Sequence, residues 1–266
     1  MQLTQVFQLT AFCAAIAVTA SASAGIVHNS SIVGNVIMGS GITDGGWTIN
    51  QTGNMELALR AKVRYDVGTG DALNVFNANG DGTFNHAAGN PGGALSGRGR
   101  WNFEWSVNTN VSGGAGGATL SAYEFVLGVD SDAGVGTNFS SYSLRGNNFV
   151  AGAPYDHTFG NNATAQSGGT KATPASFATL LGANSLMQNS TNMEFVDDGL
   201  LFASDFNPNI NGNYSFFLEA RELNGGLIGR TDITVIVGTG AAVPEPTSLA
   251  LIGLALAGLA ATRRRA

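Results

Sequence analysis

The sequence predicts an all-β protein, an antiparallel β-sandwich of jelly-roll type, with a cleavable N-terminal signal helix and a short C-terminal apolar helix. Three observations carry that reading. Only 11% of the 266 residues are charged while 38 are glycine, a composition suited to short strands and tight turns, where Gly and Asn tolerate positive φ. Several segments alternate apolar and polar residues with a period of two, the mark of a strand with one buried and one wet face. One pair of apolar runs is joined across Asn224-Gly225-Gly226, a strong hairpin signal.

The clearest strand runs from Leu57 to Val67, apolar at every odd position, with Arg60, Lys62 and Arg64 between. Trp101 to Val107 repeats the pattern: Trp101, Phe103 and Trp105 share one face, and Asn102, Glu104 and Ser106 share the other, expected to be solvated. Thr119 to Val129 aligns Tyr123, Phe125, Leu127 and Val129. The hairpin arms are Tyr214 to Leu223 and Leu227 to Val237. Gly89–Gly99 and Ser112–Gly117 read as loops. A short helix from Thr173-Pro174 to Leu181 places Pro at its first position.

The two ends read as addresses rather than as fold. Val6 to Ala22 is apolar and small, and Ala22-Ser23-Ala24 is a small-x-small site with cleavage expected between Ala24 and Gly25. The residues before it carry no Lys or Arg, a departure from the usual leader. Cys13, the single cysteine, lies inside this segment. The Thr10-Ala11-Phe12 before it makes a poor lipobox, so the processed chain has no thiol for disulfides, metals or nucleophilic chemistry. The expected division is 1–24 leader, 25–238 sandwich and 239–266 linker and tail; the sandwich, roughly 215 residues, is ample for one core.

At the C-terminal end Val243-Pro244-Glu245-Pro246-Thr247-Ser248 is followed by an uncharged stretch from Leu249 to Ala261 and then by Arg263, Arg264 and Arg265. The prolines break the preceding strand. The apolar stretch is shorter than the ~20 residues of a comfortable transmembrane helix, which suits a temporary membrane stop. The arginines orient that stop with its end in the cytoplasm. In these residues the chain resembles the PEP-CTERM sorting tails of exported proteins from Gram-negative bacteria that make extracellular polysaccharide. The resemblance implies recognition at Pro244, Glu245 and Pro246 by an exosortase, a membrane cysteine transpeptidase. It also implies transient membrane anchoring, with delivery to the cell surface or extracellular matrix. Loss of three arginines and Glu245 would lower the formal charge from −6 to −8.

Chemistry within the sandwich is less marked. With pI near 4.9 and no basic stripe, nucleic acid is not an expected partner. There is no nucleophile elbow, P-loop or dinucleotide fingerprint. His28, His86 and His157 are widely separated, and no catalytic residue is assigned. Asn77-x-Asn79-x-Asp81-Gly82 begins like a calcium loop but has Ala88 where the bidentate Glu belongs. Asp130-x-Asp132 and Asp205-x-Asn207-x-Asn209 are further candidate calcium ligands, against ordinary Asx-turn chemistry. A structural calcium is the one cofactor considered. Trp101, Phe103 and Trp105 form either a glycan-stacking platform or part of the core, and burial is the expectation. Glu104 could pair with Glu56 or Glu124 as glycosidase carboxylates. The expected function is a structural or adhesive envelope protein without catalysis. The alternatives are a carbohydrate-binding module, with polysaccharide as partner, and a glycoside hydrolase or lyase.

Overall fold

The computed structural model describes residues 25–39, 41–145, 157–194 and 206–241. Its strands are β1 (Val27–Ser30), β2 (Trp47–Thr52), β3 (Met55–Val63), β4 (Thr83–His86), β5 (Trp101–Asn108), β6 (Tyr123–Val129), β7 (Ser140–Ser143), β8 (Thr158–Gly160), β9 (Thr170–Lys171), β10 (Leu186–Asn192), β11 (Gly212–Glu222) and β12 (Leu227–Val237), with one helix, α1 (Phe177–Ala183). They form a sandwich of a seven-stranded sheet, ordered β1-β2-β3-β5-β10-β8-β9, and a five-stranded sheet, ordered β4-β12-β11-β6-β7. Pairing is antiparallel throughout except between β12 and β4, which run parallel. Twelve strands exceed the eight of a jelly roll.

The apolar alternation places the core as expected. Leu57 and Leu59 from β3, Trp101, Phe103, Trp105 and Val107 from β5, and Phe125, Leu127 and Val129 from β6 meet Tyr214, Phe216, Leu218, Ile233 and Val235 across the sandwich. Phe103 stacks on Phe216 at 4.4 Å between centroids, and Trp101 lies 5.7 Å from Tyr214. At one edge the sheets approach closely enough for the Thr231 hydroxyl to donate to the Thr48 carbonyl at 3.1 Å. A side chain at Gly229 would meet Asn50 there at 2.9 Å, so only glycine fits without a shift. The hairpin closes as its Asn-Gly turn implies: Gly225 takes φ +97° and Glu222 N–H donates to the Gly226 carbonyl at 2.7 Å.

Three expectations need correction. The β3 strand ends at Val63 rather than Val67, because Arg64 and Tyr65 both turn their N–H groups to the Arg100 carbonyl. The 119–129 strand begins at Tyr123, after a 3-10 turn at Leu120–Ala122. The helix begins at Phe177, because Thr173 and Ser176 bond to one another and hold Pro174 and Ala175 in a turn. It continues through Ala183.

The largest correction concerns the face expected to be wet. Glu56, Arg60, Lys62, Asn102, Glu104, Ser106 and Asn108 are all buried. Residues 31–39 and 41–46 cross the outer surface of the larger sheet as a strap. Its apolar residues Ile32, Val36 and Met38 join Trp47, Ile49 and Ala58 in a second small core. The polar side chains beneath it satisfy its backbone, which has no strand partner of its own. Val33 N–H donates to both oxygens of Glu56 at 3.1 Å, and Ile37 N–H donates to Gln188 Oε1 at 2.9 Å. Gln188 returns a bond to the Asn35 carbonyl at 3.0 Å. The loop before β9 seals the other side, with Ser167 and Gly169 N–H groups on the Val36 and Ile37 carbonyls at 3.0 Å.

Candidate functional site: a basic groove on the outer sheet face

Where the strap ends, the outer face of the larger sheet opens into a groove of about 400 Å³. Lys62 comes from the end of β3 and Arg64 from just beyond it, Asn102 and Glu104 from β5, Ser190 from β10 and Lys171 from the short β9. The register explains the grouping: Lys62 lies opposite Asn102, Glu104 lies opposite Ser190, and Lys171 lies opposite Thr158 on β8.

The groove floor is an ion triad. Glu104 accepts from Arg60 Nε and Lys62 Nζ, each at 2.7 Å, and it is 1% exposed. Burial alone would raise its pKa, but the two cations outweigh that and hold it below the usual carboxylate range. Burial in turn lowers the Arg60 pKa, and Glu104 offsets part of the shift. The Arg60 guanidinium sits between Trp47 at 4.1 Å and Phe76 at 4.4 Å, and it donates to the Ile42 and Gly45 carbonyls at 2.9 and 3.2 Å. Arg60 therefore anchors the strap to the sheet, while Lys62 faces the groove. Arg64 stacks over Tyr65 at 4.6 Å. Neither Arg64 nor Lys171 enters an ion pair among the described residues. Three cations thus face one anion at the opening, on an acidic chain.

The tryptophans are not a platform. Trp101 is 1% exposed and Phe103 and Trp105 are fully buried, so burial, the expected alternative, is what occurs, and no ring at these positions can stack on a sugar. Trp47 is likewise buried beneath the strap. The carboxylate pairings also separate. Glu56 and Glu104 share a sheet face, but Arg60 pairs with Glu104 across the strands. The two carboxylates are therefore four residues apart along the sheet, roughly 13 Å at strand rise, beyond glycosidase spacing. Glu124 lies on β6 in the other sheet, bonded to Ser143. His86 stacks on Trp101 and His157 packs edge-on to Trp105 inside the core, while His28 contacts Thr48 near the first strand.

The Asn77 loop closes on itself: Asp81 accepts from Thr83 N–H at 2.9 Å and from its hydroxyl at 2.6 Å, and Asn85 donates to Asn79. Asn207 similarly accepts from Asn209 N–H at 3.0 Å. Asp130 differs, being buried with both oxygens unbonded, and Asp132 follows it in the same loop. Ala24, Asp205, Pro244, Glu245, Pro246, Arg263, Arg264 and Arg265 lie outside the described residues; Gly25 is described and exposed. No described helix is long and apolar enough to cross a membrane, and the apolar stretch 249–261 is outside that description. Lys171 was not singled out by sequence, since a two-residue strand leaves no periodic trace.

Residues 242–265 match the PEP-CTERM protein-sorting motif. The match covers the tail alone, and the body of the chain matches no family. The motif marks an exported, cell-envelope-associated protein and implies processing by an exosortase. No curated protein and no solved structure matches the chain.

Proposed function

We propose that the exported sandwich is a non-catalytic, adhesive protein of the bacterial surface or its polysaccharide matrix, and that the basic groove is its contact with an acidic polysaccharide. The observation that carries the reading is that Arg64 and Lys171 line one open groove together with Asn102 and Ser190, on an acidic chain. Carboxylated sugars offer anions and hydroxyls at matching density, and polar contacts replace the ring stacking that the buried tryptophans do not provide. Glu104 supports a binding rather than an acid-catalytic role, because two cations keep it ionised and unable to supply a proton.

The test is titration of the purified chain with a polyuronate and with a neutral glucan over a range of salt. Polyuronate should bind more tightly, weaken as salt rises, and lose about tenfold or more in affinity when Arg64→Ala and Lys171→Ala are combined. Equal binding of both polymers, or an unaffected double variant, would overturn the groove assignment. Processing has a separate readout: mass spectrometry of the surface product from the native host should find no peptide containing Arg265.

A further inference from the structure

The turn from β6 to β7 contains the sequence Asp130-Ser131-Asp132-Ala133-Gly134-Val135-Gly136-Thr137-Asn138. Its first carboxylate is an anomaly. Asp130 is 1% exposed, and neither of its oxygens has a hydrogen-bond partner. Its backbone is fixed, since its N–H donates to the Ser215 carbonyl of β11 at 2.8 Å. The side chain is turned into the loop, with the backbone N–H groups of Asp132 and Asn138 on its side but not in hydrogen-bonding geometry. Burial, and then the neighbouring charge of Asp132, disfavour its ionised form. An isolated buried carboxylate is costly unless something pairs with it. Glu104, likewise 1% exposed, has two cations; Asp130 has none among the described residues.

We propose that this loop is a calcium site, with the Asp130 carboxylate as its interior ligand and Asp132 as its outer one. A cation between them removes both the desolvation cost and the repulsion of two acids two residues apart. The donors this turn offers are oxygens: the two carboxylates and the loop carbonyls, with Thr137 and Asn138 in the same stretch of sequence. No cluster of three or more His, Cys, Asp or Glu forms among the described residues. That set selects a hard cation, and an irregular loop with Gly134 and Gly136 suits the loose coordination of calcium better than the octahedron of magnesium. Asp132 already accepts from Gly134 N–H at 2.6 Å through Oδ1, which leaves Oδ2 for the metal. Two carboxylates imply weak binding, about 10⁻⁴ to 10⁻³ M as in extracellular modules. The site needs no groove and no polysaccharide, so it stands independently of the function proposed above.

The experiment is thermal unfolding of the purified chain in excess chelator, then in rising calcium or magnesium. Calcium at about ten times its Kd should raise the midpoint by roughly 2–5 °C, with magnesium giving little. Asp130→Asn should raise the midpoint in chelator, by removing the unpaired charge, and should abolish the calcium response. Asp132→Asn, at an exposed position, should fold normally and weaken the response about tenfold. A wild-type midpoint unchanged through about 10 mM calcium, well above the expected Kd, overturns the site, as does a calcium response that survives in Asp130→Asn.

Discussion

The two ends of the larger sheet's outer face are built from the same strands yet meet opposite fates. At one end Glu56, Arg60 and Gln188 are sealed under the strap, each holding strap backbone. At the other, one or two side chains further along β3 and β5, Lys62, Asn102 and Ser190 open into the groove. Polar residues do different work in the two places. Under the strap they replace the hydrogen bonds a neighbouring strand would have made. In the groove Lys62 pairs with Glu104 and Asn102 donates to Ser190, so Arg64 and Lys171, outside any ion pair among the described residues, are what a partner would meet. A polar strand face is therefore a surface for something, and water is only one candidate.

The triad joins the two ends, so breaking it should have the largest effect. Glu104→Gln removes the carboxylate that buried Arg60 and Lys62 pair with, and should cost about 3–5 kcal/mol in denaturant unfolding. Loss below 1 kcal/mol would mean that the aromatic sandwich and carbonyls alone hold Arg60. Next comes the strap itself: Gln188→Ala deletes bonds to Ile37, Asn35 and Ser106. It should cost roughly 1–3 kcal/mol and speed amide exchange at residues 35–38 more than in the hairpin.

A subtler contrast lies between Glu56, under the strap, and His86, between the sheets. Burial pushes Glu56 up to about 7, offset in part by Val33 N–H, and burial lowers His86 to about 4. The fold keeps the Glu56 proton that the unfolded chain releases near 4.5, so this residue makes stability fall as pH rises from 4.5 towards 7. His86 acts oppositely: the unfolded chain takes a proton below 6.5 that the fold resists until about 4, so stability falls as pH drops through that window. Each contribution is on the order of 3 kcal/mol at full extent, and they largely cancel between pH 4.5 and 6.5. Glu56→Gln should unmask a stability that rises with pH, and His86→Phe one that falls. Parallel slopes in both variants would refute the opposition. The smallest effect belongs to the outer face of the other sheet, where Arg230 bridges Glu219 at 2.9 Å and Asp232. Arg230→Lys keeps the charge beside both carboxylates and should change the unfolding free energy by no more than about 0.5–1 kcal/mol, since the guanidinium is partly exposed.

What the sequence made legible follows the range of its signals. Alternation located the inner faces of β3, β5, β6, β11 and β12, and Asn224-Gly225 located their hairpin, because these are local patterns with local causes. The strap was not legible: residues 31–46 follow neither period, and their backbone is satisfied by Glu56 and Gln188, far away in sequence. β10 was missed for a related reason. Leu-Met-Gln-Asn-Ser-Thr-Asn has little strand propensity, and β5 on one side and β8 on the other impose the conformation. The groove inherits both gaps, since Lys171 and Ser190 reach it through elements with weak sequence marks. The sorting tail is the opposite case, a linear motif read by another protein as a sequence, and it was fully readable.

The position of β12 has a mechanical consequence. The chain enters its tail directly from this strand, which is not at the sheet edge: β11 pairs it antiparallel along its length and β4 pairs it parallel on the other side. Antiparallel bonds lie across the strand axis. A pull along the tail therefore strains many of them together in shear, instead of peeling them one after another as a pull on an edge strand would. Ala241 N–H on Asn213 Oδ1 and Gly240 N–H on the Val237 carbonyl add a clasp where force would enter. The end that carries the sorting motif thus leaves the sandwich from an interior strand, whereas the first described strand, β1, lies at a sheet edge.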